Sequence, residues 1–318
     1  MTEQEKISPM KKWMISIRPF SLPASTMPVI FGTVLAIVYS DAPFNVWHFL
    51  LAFFGMVILH CGANLLSDIN DYKKGLDKVP TPVSGGVVRG LITTSEARRA
   101  AILLFVIGTL IGLLLVYLTG YQLLIIGGIG VLIGVLYTVG GKLALKYHAL
   151  GDLAVFMNFG VLGSLGAWYV QTEQLSWVPV VWVIPMAILV IAILHANNWR
   201  DMASDKEGKI YTVASLLGDR GSLIYYAMLI FGPFVFVLGL IFLPMLFNST
   251  WPAMPLTFLI TLITLPVALR LWSKAVSRKA PKQPMDFIAL DGATAQFNLQ
   301  FGILCTLALG IHAIINLL

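Results

Sequence analysis

All 21 lysines and arginines of this 318-residue chain lie in or beside alternate connections between long apolar stretches. The N-terminal arm carries Lys6, Lys11, Lys12 and Arg18, and the segment 67–98 carries Lys73, Lys74, Lys78, Arg89, Arg98 and Arg99. Lys142 and Lys146 follow the fourth stretch, and the segment 198–222 holds Arg200, Lys206, Lys209 and Arg220. Arg270, Lys274, Arg278, Lys279 and Lys282 precede the last stretch. The intervening connections hold none. Segregation of this kind is how a multi-span membrane protein records its orientation, because basic loops stay on the cytoplasmic side.

The apolar stretches run roughly Leu22–Tyr39, Val46–Leu66, Ala100–Leu118, Tyr121–Val139, Leu153–Val170, Val178–Ala196, Leu223–Leu243, Met254–Trp272 and Phe297–Leu318. Each is near the ~20 residues that cross a bilayer as a helix. The alternating polarity of barrel strands is missing, which leaves helices as the spanning element. The expectation is therefore an all-α integral membrane protein of about nine transmembrane helices, in one domain over residues 1–318. Its N-terminus would be cytoplasmic and its C-terminus outside. Charged residues make up 11% of the chain, against about 25% in an ordinary soluble domain, so a water-soluble globule is excluded. The net charge of +6 comes from this placement and calls for no nucleic-acid partner. Cys61 and Cys305 both lie in apolar runs, which excludes a disulfide scaffold and a cysteine-rich zinc site. Residues 1–20 are charged and broken by Pro9 and Pro19. They read as a cytoplasmic or interfacial arm and lack a signal-peptide core.

Acidic residues are not bound by that rule, and their grouping is informative. The second stretch ends in CGANLLSDINDYKKGLD, with Asn64, Asp68 and Asp71 at i, i+4 and i+7 and Asp77 beyond Gly75. The sixth ends in HANNWRDMASDKEGK, with Asn197, Asp201 and Asp205 at i, i+4 and i+8 and Lys209 a turn further on. Each set falls on one helical face. Each follows Ala-Asn at the cytoplasmic end of an apolar helix, a match that points to an ancient duplication. An aspartate at mid-membrane costs about 2.5–3.5 kcal/mol on insertion scales, and two facing carboxylate pairs repel. A cation between them resolves both problems. Hard oxygen ligands select Mg2+ or Ca2+, and Mg2+ characteristically shares its shell between carboxylates and phosphate oxygens. Lys73, Lys74 and Arg89 flank the first motif, and Arg200 and Lys209 the second. Carboxylates, a divalent metal and guanidinium or ammonium groups together describe a site for a phosphorylated, above all a diphosphate, substrate.

Other features carry less. Tyr137, Lys142 and Lys146 follow the fourth stretch and suit an anion, although a plain cytoplasmic loop explains the lysines equally well. Ser84-Gly85-Gly86 before Arg89 is either a phosphate-facing turn or simply a turn. Arg18, in RPFSLPAS, stands where the chain enters its first span. His60 and His195 precede the two motifs and are either acceptor contacts or packing groups. No Walker loop, dinucleotide fingerprint, Ser-His-Asp order or zinc spacing is present.

The two motifs together resemble the UbiA superfamily of membrane prenyltransferases, over nearly the whole chain. RPFSLPA at Arg18–Ala24, SDINDYKKGLD, NNWRDMASDKEGK and Leu299–Gly302 (LQFG) are most similar to its 1,4-dihydroxy-2-naphthoate branch, which serves menaquinone biosynthesis. Ser67 and Gly140-Gly141 depart from many relatives, which have Asn and prolines there; neither departure touches a carboxylate. The resemblance implies a nine-helix bundle in the inner membrane, with its active site facing the cytoplasm. It implies Mg2+ held by Asn64, Asp68, Asp71, Asn197, Asp201 and Asp205 against a polyprenyl diphosphate, with Asp77 peripheral. Lys73, Arg89, Lys142, Lys146, Arg200 and Lys209 would neutralise the leaving diphosphate. An aromatic acceptor would receive the prenyl group.

Other acceptors within the same chemistry are 4-hydroxybenzoate, a chlorin or a glycerol phosphate. An ion-coupled transporter is a rival class, but transporter sites favour broken helices at the midplane, whereas these motifs stand at helix ends. The DG-x-x-AR pattern of CDP-alcohol phosphotransferases is not met, since Asp291-Gly292-Ala293-Thr294-Ala295 runs into Gln296.

Overall fold

Stop signals set the helix bounds as much as hydrophobicity does. In the computed structural model the described residues are 7–40, 42–75, 84–139, 144–247, 251–278 and 288–317. Helix α1 (Pro9–Ile17) opens with Ser8 accepting a hydrogen bond from the Lys11 amide and ends at Arg18, whose φ is 53°. After a single 3-10 turn come α2 (Pro23–Ser40) and α3 (Val46–Lys74). Asn45 caps α3 by accepting from the Trp47 and His48 amides, and Gly75, at φ 65°, closes it behind Lys73 and Lys74. A left-handed glycine and terminal lysines both suit a helix C-terminus. The helix therefore carries the first acidic motif well past Leu66, where the apolar run stops.

Helix α4 (Thr94–Thr119) starts from a capping box in which Thr93 and Glu96 exchange hydrogen bonds, satisfying two orphan donors at once. Next come α5 (Gln122–Leu136) and α6 (Gly151–Thr172), the latter with a π-helical stretch over Phe156–Leu162. They are followed by α7 (Val178–Trp182), α8 (Ile184–Arg200) and the short α9 (Met202–Glu207). Helix α10 (Val213–Leu246) is broken at Gly218, where φ is 67° and ψ is −178°. Helix α11 (Leu256–Ser277) begins as a 3-10 segment, and α12 (Ile288–Leu317) completes the bundle. Among the described residues seven helices are long and apolar enough to cross a membrane: α2, α3, α4, α6, α10, α11 and α12. The other two expected spans are helical but shorter, as α5 and as α8 behind its one-turn α7. The chain is an integral membrane protein, and its outer faces look the part. Ile102, Leu103, Val106, Leu110 and Leu113 of α4 are exposed, which only a lipid solvent tolerates in such a run.

Packing divides the bundle into a solid half and a hollow one. Phe31, Trp199, Tyr226, Phe258, Phe297 and Phe301 are fully buried between α2, α8, α10, α11 and α12. Phe31 meets Phe258 edge-on at 6.3 Å, and Phe301 meets Phe234 edge-on at 5.6 Å, the arrangement favoured by ring quadrupoles. Helices α2 and α6 cross so closely at Gly32 that a Cβ there would strike the Ser164 carbonyl, a small-residue contact typical of membrane helices. Helices α3 to α6 instead leave a cavity of about 1060 Å³ between them.

Candidate functional site

The cavity has a polar mouth and an apolar depth. The depth is walled by Leu59 of α3, Phe105 and Gly112 of α4, Gly127 of α5, and Phe159 and Leu162 of α6. A Cβ added at Gly112, Gly127 or Gly128 would meet no atom within 4 Å, so these glycines leave room that packing does not require. At the mouth stand Asn64, Asp71, Asn197, Asp201 and Asp205, with Arg18, Lys146 and Arg200. Residues from both acidic motifs thus meet at one opening.

In the first motif Asp71 faces the cavity. Lys146 Nζ lies 2.7 Å from each of its carboxylate oxygens and 3.1 Å from Ser67 Oγ, and Ser67 itself donates to Asp71 Oδ2 at 3.3 Å. A 3-10 turn over Leu145–Tyr147 aims Lys146, helped by the hydrogen bond from its amide to the Tyr137 carbonyl. Tyr147 is buried in that turn, and Lys74 Nζ sits 3.2 Å above its ring centroid, a cation–π contact. Burial, and then the Asp71 and Asp205 carboxylates, push the Tyr147 phenol well above its ordinary range, so it stays neutral.

Asp68, one turn before Asp71, is fully buried and does not line the cavity. The turn after Ser84 covers it. Val87 donates its amide to Asp68 Oδ2 at 2.7 Å, Arg18 Nη2 lies 3.9 Å from Oδ1, and Oδ1 has no hydrogen bond. Gly85 presses so closely that a Cβ there would overlap the carboxylate. Asn64 donates Nδ2 to the Ile17 carbonyl at 2.9 Å and to Ser21 Oγ at 3.1 Å, which ties the N-terminal arm across the mouth.

The second motif is organised by Arg200. Its Nε and Nη2 donate to the two oxygens of Asp201 at 2.9 and 2.8 Å, Nη2 donates to Asn197 Oδ1, and Nη1 donates to Asp291 Oδ2. The fork-on-fork match with Asp201 is the strong form of this ion pair. Asp205 is buried one turn on and lines the cavity. Asp291, at the start of α12, was not singled out by sequence. A carboxylate beside an apolar helix demands a partner, and that is the signal that could have flagged it.

The remaining candidates divide cleanly. His60 and Tyr137 line the cavity. His60 Nδ1 is 2.7 Å from Ser25 Oγ, and its ring packs on Phe159 at 4.4 Å. His195 does not reach the cavity; it is buried against Trp199 and Tyr225, with Nε2 3.2 Å from the Ser222 carbonyl. Lys73 and Lys209 are exposed and off the cavity wall, and Arg89 sits half-buried in the turn over Asp68. Asp77 and Lys142 lie outside the described residues.

Among the described residues no three carboxylate, imidazole or thiolate side chains converge closely enough to hold a metal ion. The donor chemistry nevertheless fits a hard divalent cation. Oxygen donors from both motifs border one opening, Asp71 and Asp201 each carry a basic counter-ion, and Asp68 Oδ1 is a buried oxygen that accepts no hydrogen bond and has only Arg18 at ion-pair distance. Such a set suits Mg2+ better than a soft metal.

The profile of the UbiA prenyltransferase family matches residues 25–290. The chain is 33% identical over 307 residues to the UbiA prenyltransferase domain-containing protein 1 homolog of Drosophila melanogaster, covering 94% of this chain and 79% of that one. It is 31% identical over 298 residues to the 1,4-dihydroxy-2-naphthoate octaprenyltransferase of Bacillus subtilis, covering 93% of this chain and 91% of that one. In fold it is similar to a UbiA homolog from Archaeoglobus fulgidus bound to DMAPP and Mg2+. The TM-score is 0.60 at 14% identity, over 93% of this chain and 99% of that one.

Proposed function

The chain belongs to the UbiA prenyltransferase family, and we propose that it transfers a polyprenyl group from its diphosphate to 1,4-dihydroxy-2-naphthoate in menaquinone biosynthesis. The observation that carries this reading is the cavity itself. Oxygen donors of both acidic motifs and the basic side chains Arg18, Lys146 and Arg200 meet at its mouth, while its depth is apolar. One long lipid-tailed diphosphate satisfies both ends. The similarity to the Bacillus subtilis octaprenyltransferase favours the naphthoate acceptor over other hydroxyaromatics.

Asn64, Asp68, Asp71, Asn197, Asp201 and Asp205 would hold Mg2+, with Asp68 released from its covering turn. The metal would neutralise the diphosphate and ease its departure. Lys146 and Arg200, freed from Asp71 and Asp201, would donate to the leaving oxygens. Arg18 reaches the same mouth and supports the diphosphate from the arm side. The allylic carbon–oxygen bond breaks with its electron pair leaving on diphosphate, and an electron-rich ring carbon of the acceptor forms the new carbon–carbon bond. That carbon then gives up its proton to solvent, or its carboxylate as CO2, so that the bonding pair left behind restores the aromatic ring. Apolar walls keep water from the allylic cation. His60 and Tyr137 border the space where the acceptor would sit. The mouth faces the cytoplasm, in keeping with the basic residues around it.

The test is turnover in nanodiscs with 1,4-dihydroxy-2-naphthoate, a labelled prenyl diphosphate and Mg2+, with EDTA as control. Metal-dependent prenylated naphthoquinol is the expected product. Donor binding without that product would refute the acceptor and keep the donor site. No interaction with any prenyl diphosphate would refute both.

A further inference from the structure

Arg200 is held from two directions, and only one of them belongs to the metal motif. Asn197 and Asp201 are its neighbours at the end of α8. Its remaining anchor, Asp291, comes from α12, a different helix, and also lines the cavity. Asp291 is more deeply buried than Asp201, and its second oxygen accepts the Gly292 amide at 2.7 Å. It is fixed by its own helix end and is not part of either acidic motif.

That asymmetry matters once a cation enters. A metal that takes Asp201 and Asn197 removes two of the partners of Arg200 and places like charge beside its guanidinium. Without a further anion the arginine would be pushed out of the mouth. With Asp291 in place it keeps a buried partner on Nη1 while Nε and Nη2 are released toward the incoming anion. We propose that Asp291 is a positioning residue that retains Arg200 at the diphosphate mouth when Asp201 and Asn197 turn to metal. This inference rests on the donor-site reading given above.

The two residues then have opposite effects on metal binding. Arg200→Gln frees Asp201, so the site binds a divalent cation more tightly in the absence of anion, yet it holds diphosphate less well. Asp291→Asn leaves Arg200 dependent on Asp201, so both the cation alone and the metal–diphosphate pair bind more weakly. Because Asp291 acts through Arg200, its removal costs little once Arg200 is gone, which is the signature of a coupled pair in a double-mutant cycle.

The experiment is calorimetry on the full chain in nanodiscs, titrating Mn2+ alone and then inorganic pyrophosphate in the presence of Mg2+. Arg200→Gln is expected to raise Mn2+ affinity and lower pyrophosphate affinity, each about tenfold. Asp291→Asn is expected to lower both about tenfold, and to change either less than about threefold in the Arg200→Gln background. Asp291→Glu keeps the charge, restores most of the loss, and carries the same comparison if Asp291→Asn does not fold. Equal losses with and without Arg200, or no loss in a folded Asp291 variant, overturn the proposal. A wild-type protein that binds neither probe overturns the donor site and this inference together; wild-type binding with an indifferent Asp291 overturns this inference alone.

Discussion

Replacing Lys146 by Met separates its two roles, as counter-ion to Asp71 and as donor to a leaving diphosphate. The ammonium lies 2.7 Å from both carboxylate oxygens. At an effective dielectric of about 20, two unit charges 4 Å apart attract by about 4 kcal/mol. Removing one partner of a fully buried pair costs roughly 3–5 kcal/mol. This pair borders a wet mouth, with side chains 17% and 10% exposed, so solvent screening brings the expected cost down to about 1–2 kcal/mol. The variant should therefore fold, with a modestly lowered thermal transition. The catalytic effect should be larger. Losing one preorganised donor to a developing anion typically costs 10²–10³ in kcat, or about 2.7–4 kcal/mol. Single-turnover rates at saturating prenyl diphosphate and Mg2+ read the second effect, and a thermal melt without ligands reads the first. Lys146→Arg should recover part of the rate, because charge is kept although the fork does not reproduce a point charge. A Lys146→Met protein that turns over within about threefold of wild type would refute the reasoning, since the ion pair would then be only a structural clamp.

Asp201→Asn should nearly abolish turnover while leaving the purified bundle monodisperse, because the residue stands at the mouth and carries no core packing; full activity would remove the metal-site assignment. Chelation by EDTA should stop product formation and excess Mg2+ should restore it, measured in the same nanodisc assay. Gly85→Ala should destabilise by about 1–3 kcal/mol, the usual cost of overpacking, because its Cβ would overlap the Asp68 carboxylate; denaturation with and without donor checks this. Gly127→Leu should fold normally, since nothing lies within 4 Å of an added Cβ. It should lower kcat/KM for long polyprenyl donors more than for geranyl diphosphate.

The helical segments were legible because a bilayer imposes length and apolarity on each of them, and the lysines and arginines punctuate the runs. Boundaries were less so. The apolar run of α3 stops at Leu66, but the helix continues to Lys74 because Gly75 ends it, and this keeps Asp71 on a rigid element instead of a loop. The spacing of Asn64, Asp68 and Asp71 correctly places them on one side of a helix. Spacing says nothing of the distant turn at Val87 that closes over Asp68 and leaves only Asn64 and Asp71 facing the cavity. Asp291 escaped for a related reason. The last apolar run begins at Phe297, so hydrophobicity alone does not place a carboxylate six residues earlier on the helix, although the helix already includes Ile288.

The counter-ions link the sequence pattern to the chemistry. If the site accepts a metal and a diphosphate together, as proposed, its carboxylates still cannot be left bare in their absence, because unpaired buried charge is expensive. Here Lys146 neutralises Asp71, and Arg200 neutralises Asp201. Each basic group is drawn from outside the carboxylate set yet sits at the same opening. On the proposed reading, when metal replaced them on oxygen they would already be positioned for the anion that accompanies it, so charge would be exchanged within the mouth and little would have to be moved there. Separation of the bundle into halves serves the same end. The solid half, with its buried aromatic rings, fixes α8 and α12 and thereby Arg200 and Asp291. The hollow half keeps room for a tail without disturbing that geometry. A rigid frame beside an empty volume would let one chain hold a charged headgroup precisely and a lipid tail loosely.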